Sequence, residues 1–195
     1  SAAQSTITVA SSTVVSGQAV TVTGTIRDAN NNPINSGVAI TFSKSGGTST
    51  GTFSTITPQG NGVYTVDYSG IVAGTAQTLG LLVDGTGLGP TTTLSVIPGA
   101  PNNTLSTLTI TSNVVIAGQY ATLTATIKDA NGNPISSGIL VTFDKTGGTS
   151  FGNYSAVVNQ GNGVYTSNYS GVTAGTAQTV QANVNGAGFG PTQSI

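Results

Sequence analysis

The strongest constraint on this chain is an internal repeat at a fixed offset. Gly17 aligns with Gly118, 101 positions further on, and the same offset brings GNGVYT at 60–65 onto GNGVYT at 161–166. The alignment needs no gap. A repeat of this length is too long for a solenoid unit and suits a domain of about 100 residues, which buries about two-thirds of the surface of its unfolded chain. The sequence therefore predicts two copies of one fold, each able to fold alone.

The repeat places the two domains at residues 1–98 and 99–195. The stretch SVIPGAPNNT (95–104) at their junction contains two prolines, and proline favours an extended path, so we expect a short and fairly stiff joint. In domain 1 the segment TTLSVI follows GPT, whereas the sequence of domain 2 has only QSI after the same tripeptide. We therefore expect the last strand of domain 2 to be truncated and the sequence to be part of a longer array.

Charge is scarce in this chain. Only 5% of the residues are charged, with four basic and five acidic side chains, against about 25% charged residues in an average globular protein. No basic stripe is available to neutralise phosphates, so nucleic acid and anionic lipid are not expected partners. No segment approaches the roughly 18 apolar residues that cross a bilayer, so direct membrane insertion is not expected either.

Apolar and polar residues alternate with the period of β-strands, and helical spacing is rare. In the segment AVTVTGTI, for example, Val20, Val22 and Ile26 fall on one face and threonines on the other. Similar inward faces are predicted around Phe42, Tyr64, Val66, Tyr68, Leu79 and Leu81, and around their counterparts in the second copy. About seven short strands per copy, separated by turn residues, predict an all-β fold of two tandem two-sheet sandwiches.

Longer segments carry a resemblance to a known family. TVTGTIRDANNNPINSGVAITF (21–42) and TLTATIKDANGNPISSGILVTF (122–143) occur with NGVYT, AGTAQT and a closing VNG in the same order. This pattern resembles the bacterial immunoglobulin-like repeats of the invasin and intimin type, which occur in tandem in surface adhesins. The resemblance implies two immunoglobulin-like β-sandwich domains in an extracellular, secreted or cell-surface protein. It also implies neighbouring repeats of the same chain as partners, with a host or surface receptor or a glycan bound through other domains.

The side chains that catalysis needs are almost absent. The chain has no His, which is the residue best suited to proton transfer near neutral pH. It also has no Cys, so thiolate chemistry is not possible. Asp28 and Asp129 are equivalent, but Asp67 and Asp84 align with asparagines. A carboxylate pair within one domain therefore has little support, and we predict no catalytic residues, no cofactor and no enzymatic activity.

Two glycine-rich segments match parts of known sequence motifs. GTGLGPT (85–91) resembles part of a dinucleotide fingerprint, but it leads into a proline and a strand instead of opening a helix, so we predict a loop. DKTGGT (144–149) contains the Lys-Thr-Gly triplet of penicillin-binding enzymes. The Ser-x-x-Lys motif that carries their nucleophile is absent, so this match is attributed to chance.

The repeated heptad DANNNPI (28–34) and DANGNPI (129–135) is compatible with a turn or with a cation site. Its fourth position is Asn31 in one copy and Gly132 in the other, the residue types that most readily accept positive φ. One carboxylate per copy is too few for a calcium loop, which uses several oxygen ligands. We therefore predict a turn capped by Asp28 and Asp129 through backbone amides, and no metal site.

Lys44 and Lys145 occupy equivalent positions just after an inward phenylalanine. This placement raises the hypothesis of a Lys–Asn isopeptide cross-link, which requires a neighbouring buried carboxylate. Asp144 precedes Lys145, but Ser43 precedes Lys44. Because lysine is rarely fully buried, an exposed lysine near the end of a strand is the favoured interpretation.

If domain 2 binds a ligand, its extra aromatic residues are the positions to test. These residues are Tyr120, Phe151 and Phe189, which replace Ala19, Thr50 and Leu88 of domain 1. The leading hypothesis for the whole chain is a non-catalytic spacer of a bacterial adhesin-like surface protein. Two alternatives remain open: a carbohydrate-binding or accessory module of a secreted enzyme, and a subunit of a self-assembling surface layer or fibre.

Overall fold

The computed structural model describes all residues, 1–195. It contains 17 strands and no helix, so the predicted all-β fold is confirmed. Contacts along the chain divide it into two compact units, unit 1 (Ser1–Gly99) and unit 2 (Ala100–Ile195). No segment forms a helix with the length and apolar character that a bilayer crossing requires.

Unit 1 is a sandwich of two sheets. Its strands are β1 (Thr6–Val9), β2 (Thr13–Val15), β3 (Ala19–Thr25), β4 (Ile40–Ser45), β5 (Thr50–Phe53), β6 (Thr57–Gly60), β7 (Val63–Val72), β8 (Gln77–Val83) and β9 (Thr86–Ile97). One sheet has the order β1-β3-β7-β5, with β6 also paired to β7, and the other has the order β2-β9-β8-β4. All pairs are antiparallel except β2–β9, which is parallel.

Unit 2 repeats this arrangement with one strand fewer. Its strands are β10 (Thr107–Ile110), β11 (Tyr120–Thr126), β12 (Val141–Thr146), β13 (Phe151–Tyr154), β14 (Val158–Gly161), β15 (Val164–Thr173), β16 (Thr179–Val184) and β17 (Ala187–Ser194). The first sheet has the order β10-β11-β15-β13 with β14 beside β15, and the second has the order β12-β16-β17. The segment equivalent to β2 has no strand partner in unit 2.

Each unit buries its own apolar core between its two sheets, as the alternation predicts. Residues on one face of each strand are buried and their neighbours are not, because successive side chains of a strand point to opposite faces. The buried residues of unit 1 are Ile7, Val14, Val22, Ile26, Phe42, Tyr64, Val66, Tyr68, Leu79, Leu81, Leu94 and Val96. The equivalent positions in unit 2 form a second core of the same kind.

Unit 1 has two strands more than the expected seven, because two of its short strands lack the alternation of apolar and polar residues that predicts a strand. Strand β2 is three residues long, and β6 has the sequence TPQG, whose Pro and Gly are typical of turns. Both become strands only because a longer partner supplies hydrogen-bonding groups, β9 for β2 and β7 for β6.

The prediction of a loop at GTGLGPT (85–91) is wrong. Thr86 to Thr91 belong to β9, which forms a hairpin with β8. The register jumps between the pairs Gly80↔Thr91 and Leu82↔Gly87, so a bulge takes up the residues around Pro90. A bulge is one of the few places where a sheet tolerates proline, since its residues need not donate to the neighbouring strand.

The junction between the repeats is shorter than its sequence indicates. Ser95, Val96 and Ile97 belong to β9 and pair with Thr13, Val14 and Val15. In contrast, β17 ends at Ser194 and is eight residues long, against twelve for β9.

Candidate functional site

The repeated heptad forms the same turn in both units. The Asp28 Oδ1 atom accepts hydrogen bonds of 2.8 Å from the backbone N–H groups of Asn30 and Asn32, and Oδ2 accepts one of 2.9 Å from Asn32 Nδ2. Position four has positive φ in both copies, 68° at Asn31 and 82° at Gly132. The predicted aspartate-capped turn is therefore confirmed.

The second copy reproduces these bonds around a fully buried carboxylate. Asp129 Oδ1 accepts from the N–H groups of Asn131 and Asn133, and Oδ2 accepts from Asn133 Nδ2. In unit 1, the hydrogen bond from the Asn32 side chain, together with the backbone N–H groups of Asn32 and Asn30, holds the pKa of Asp28 below its usual value. Both carboxylates are thus acceptors within a turn, and no three His, Cys, Asp or Glu side chains converge in either unit.

The two equivalent lysines cover an aromatic cluster. Lys145 Nζ donates a hydrogen bond to the Gly152 carbonyl and lies 4.4 Å from the ring centre of Phe151 and 5.1 Å from that of Tyr169. Lys44 makes the same contact with the Gly51 carbonyl. The ammonium groups therefore contact backbone oxygens and ring faces, an arrangement that stabilises a cation. The favoured interpretation of an exposed lysine is therefore incomplete. For the isopeptide hypothesis, the hydrogen-bond partner of each Nζ is a backbone carbonyl and not an asparagine side chain.

The structure does not gather the three aromatic positions of domain 2 into one site. Tyr120 begins β11 with 64% of its surface exposed, and Phe151 begins β13 with 49% exposed. Phe189 lies on β17, in the other sheet, where it is half-buried and packs against the core. Phe151 lines the cavity described below, and Phe189 lies in a different sheet from Tyr120 and Phe151.

That cavity is an apolar groove of about 250 Å³ in unit 2. We call it the unit 2 groove and define it by its lining residues, which are Asn113, Val114, Val115, Ser150, Phe151, Tyr169, Gly171, Thr173, Ala174, Gly175, Ala177 and Ile195. It lies between the segment equivalent to β2 and the beginning of β13. The surface that lines it is more apolar than polar.

In unit 1 the same position is filled by the end of β9. Val96 is buried there and packs on Gly70, where an added Cβ would lie 2.9 Å from Val96 Cγ1 and 2.9 Å from Val14 Cγ1. At Gly171, the equivalent glycine of unit 2, the three atoms nearest to an added Cβ would be Val115 Cγ1 at 3.1 Å and two backbone oxygens at 3.4 Å. The counterpart of Val96 in the repeat would be residue 197, two positions after Ile195, so the unit 2 groove lies where the repeat places that position.

The groove contains no group that changes its charge near neutral pH. Burial raises the pKa of the Tyr169 hydroxyl, and a hydrogen bond with Ser150 acts in the opposite direction. Tyr169 donates in turn to Gln178 Oε1 at 3.0 Å. The residues that line the groove include no Asp, Glu, His, Cys, Lys or Arg. Two of the lining residues are apolar where unit 1 is polar, since Val114 and Phe151 replace Thr13 and Thr50.

The fold defines a class of protein, a tandem pair of immunoglobulin-like β-sandwiches. Both repeats match the family model described as invasin, domain 3, over residues 1–99 and 102–195. The chain therefore belongs to the invasin domain 3 family, and the resemblance to invasin-type repeats is confirmed. No curated protein matches the chain in sequence.

Solved structures of bacterial surface proteins are similar over the whole chain. The Escherichia coli adhesin FdeC is 28% identical, with a TM-score of 0.68 over 98% of this chain and 63% of its own. Yersinia pseudotuberculosis InvD is also 28% identical, with a TM-score of 0.69 over 100% of this chain and 57% of its own. Invasin, a bacterial integrin-binding protein, shares the fold at 22% identity and a TM-score of 0.74, over 100% of this chain and 40% of its own. The chain thus spans less than two thirds of the length of each of these structures.

Proposed function

We propose that this chain is a non-catalytic spacer segment of a bacterial cell-surface adhesin. Its membership of the invasin domain 3 family and its likeness to the adhesin FdeC support an adhesive, surface-exposed module. Its partners are then the neighbouring repeats of the same chain, and receptor binding belongs to other domains of the parent protein.

The observation that carries this proposal is that one hydrogen-bonding pattern recurs 101 residues apart. The Gly17 N–H group donates to the Gly70 carbonyl at 2.9 Å, and Gly118 donates to Gly171 at 2.9 Å. Each unit also buries its own apolar core. Repeated units that fold separately allow a surface protein to be lengthened without creating a new fold, which is what a spacer requires.

The carboxylates support a non-catalytic role, since all five accept structural hydrogen bonds. Asp84 Oδ1 accepts from the Ala39 N–H group at 2.8 Å, and Asp67 Oδ1 accepts from Thr21 Oγ1 at 2.9 Å. Asp144 accepts from Asn183 Nδ2, and the other two cap the heptad turns. Each carboxylate thus has a part in holding a turn or a strand, which is consistent with a structural role for these residues.

The strand β2 near the beginning of unit 1 and the strand β9 near its end form a parallel pair. Tension on the two chain ends pulls parallel strands in opposite directions along their axes, so their hydrogen bonds are loaded together instead of one at a time. The Ser95 N–H group donates to the Ser12 carbonyl at 3.0 Å and the Ser16 N–H group donates to the Ile97 carbonyl at 2.8 Å. These bonds give unit 1 a clamp that resists extension.

Single-molecule extension of the whole chain tests the spacer function. We expect two separate unfolding events, each releasing roughly 30 nm of chain, because about 100 residues extend by at most about 3.5 Å each. Ser95→Pro removes one N–H group of the β2–β9 pair and should lower the unfolding force of unit 1 alone, whereas Ser95→Ala keeps that group and should leave both events unchanged.

Two outcomes would contradict the proposal. The first is a single unfolding event for the whole chain, which would mean that the units do not bear load separately. The second is saturable micromolar binding of the isolated chain to a glycan array, which would favour a carbohydrate-binding module.

A further inference from the structure

Asparagine is followed directly by glycine at four places in this chain. Glycine has no side chain to shield its backbone nitrogen, so this nitrogen can attack the side-chain amide of the preceding asparagine and expel ammonia. The four pairs are Asn61–Gly62, Asn131–Gly132, Asn162–Gly163 and Asn185–Gly186. They differ in whether the fold already engages the glycine N–H group, which supplies the attacking nitrogen.

Three of these glycine N–H groups are engaged in hydrogen bonds. Gly62 and its counterpart Gly163 are buried, and each donates to a side-chain oxygen at 2.6 Å. Gly132 donates to the Asp129 carbonyl at 3.1 Å. The carboxylate of Asp129 belongs to the same turn, so it disfavours negative charge on the Gly132 nitrogen. In each of these pairs, a hydrogen bond must break before the glycine nitrogen can react.

The fourth glycine, Gly186, lies in an open turn. Asn185 and Gly186 form the two-residue turn between the paired residues Val184 and Ala187, and both have positive φ, 53° and 83°. The Gly186 N–H group donates to no protein atom, and both turn residues are exposed. An added Cβ on Gly186 would have no atom within 4 Å. The Asn185–Gly186 peptide can therefore rotate toward the Asn185 side chain without displacing a neighbour.

The side chain of Asn185 is held by a donor at the atom that attack would charge. The Leu140 N–H group donates to Asn185 Oδ1 at 2.9 Å, and the Asn185 N–H group donates to the Leu140 carbonyl at 2.8 Å. When a nitrogen attacks Cγ, negative charge develops on Oδ1. A donor that is already directed at this oxygen stabilises the charge and favours the reaction.

Unit 1 shows that the same turn accepts the acid that the reaction would produce. Asp84 is the counterpart of Asn185 and is also followed by glycine. Its Oδ1 atom accepts from the Ala39 N–H group at 2.8 Å, its own N–H group donates to the Ala39 carbonyl at 2.9 Å, and its φ is 49°. An aspartate at position 185 therefore has a preformed place.

We propose that Asn185 is a site of spontaneous deamidation and that the aspartate product keeps the turn, as Asp84 does in unit 1. The Gly186 nitrogen loses its proton to solvent and forms a bond with Asn185 Cγ. The bond between Cγ and Nδ2 breaks, ammonia leaves, and a cyclic imide remains. The change adds one negative charge to a chain whose formal net charge is −1.

Water then opens the imide in one of two ways. Cleavage between Cγ and the Gly186 nitrogen gives aspartate and restores the ordinary backbone. Cleavage between the backbone carbonyl carbon of residue 185 and that nitrogen gives isoaspartate, whose longer backbone does not fit a two-residue turn. Water is the only co-reactant, and no group is oxidised or reduced. This proposal does not depend on the spacer function, because it concerns the chemistry of one turn.

Incubation of the intact chain in mildly alkaline buffer tests the proposal, with peptide mass mapping to locate each exchange of an amide for an acid. In the folded chain, deamidation at Asn185 should be at least about tenfold faster than at Asn61, Asn131 or Asn162, because those pairs require local opening first. In denaturant the four sites should react at similar rates, since glycine follows each asparagine.

Two variants separate the role of the turn from that of the sequence pair. Asp84→Asn places an asparagine before glycine in the equivalent turn of unit 1, so position 84 should deamidate at a rate similar to that of Asn185 and regain its aspartate. Asn185→Asp represents the product. It should leave the unfolding midpoint of unit 2 and the slow hydrogen exchange of the Leu140 amide unchanged.

The proposal is overturned if the folded chain deamidates at another of the four pairs as fast as at Asn185, or if all four react only in denaturant. It is also overturned if position 84 of the Asp84→Asn variant stays unreacted while Asn185 reacts. Loss of the slow exchange of the Leu140 amide in Asn185→Asp would overturn it as well, because the acid would then not fit the turn.

Discussion

The Tyr68 hydroxyl donates a hydrogen bond of 2.6 Å to Gln77 Oε1 inside unit 1. The equivalent pair, Tyr169 and Gln178, has the same bond at 3.0 Å in unit 2. Each bond joins the long central strand of one sheet to the other side of the sandwich, so it places a polar link within an apolar core. Burial raises the pKa of both tyrosines above the ordinary value.

Tyr68→Phe should destabilise unit 1 by about 1–2 kcal/mol, because the Gln77 acceptor is left without its donor in the core. Denaturant unfolding followed by the amide signals of each unit measures this effect and separates the two units. Tyr120→Phe is the matched control, since Tyr120 is largely exposed and its change should stay within about 0.5 kcal/mol. An equal effect of both substitutions would show that the buried bond contributes nothing.

Asp28 should make unit 1 less stable in acid. Its folded-state pKa lies below the ordinary value because of the hydrogen bonds from Asn32 and Asn30. A depressed carboxyl pKa contributes stability that is present above the unfolded-state pKa and is lost as the pH falls through the folded-state pKa. Chemical denaturation from about pH 7 down to about pH 2 should therefore show a loss of stability at the acid end. Asp28→Asn cannot titrate and should reduce that acid loss; an unchanged pH profile would contradict the assignment.

Two glycines of the β14–β15 turn should respond differently to substitution. Gly163 and Gly161 both have positive φ, 73° and 80°. A Cβ at Gly163 would lie 2.5 Å from the Ile127 carbonyl oxygen, whereas a Cβ at Gly161 has no atom within 4 Å. Gly161→Ala should cost about 1 kcal/mol for the backbone conformation alone, and Gly163→Ala should cost at least about 1 kcal/mol more. Thermal unfolding of the two variants measures the difference.

Gly70, which lies under the end of β9, and its counterpart Gly171 in unit 2 provide a matched pair. Gly70→Ala would bring a Cβ within 2.9 Å of both Val14 and Val96, whereas Gly171→Ala meets only Val115 closely. Overpacking a filled core costs about 1–3 kcal/mol, so Gly70→Ala should lower the stability of unit 1 by that amount. Gly171→Ala should change the stability of unit 2 by less than about 1 kcal/mol. Equal losses, measured by denaturant unfolding, would contradict the difference in close packing around the two glycines.

The heptad turn shows how much of a site is predictable from sequence. The exchange of Asn31 for Gly132 indicated a backbone with positive φ, and the shared Asp28 and Asp129 indicated a cap; both follow from the preferences of neighbouring residues. The three aromatic positions of domain 2 were a weaker guide. The alignment of the two repeats showed that these positions differ from domain 1, but it did not show that Phe189 packs against the core while Phe151 lines a groove.

The sequence by itself determined two tandem all-β domains, their inward faces and their capped turns, because alternation and turn chemistry are local properties of the chain. Only the tertiary structure decided that Val14 pairs with Val96 in parallel, that Thr86–Thr91 form a strand, and that Lys145 covers an aromatic cluster. These features depend on residues far apart in the chain, whose pairing is set by the packing of two sheets around a common core.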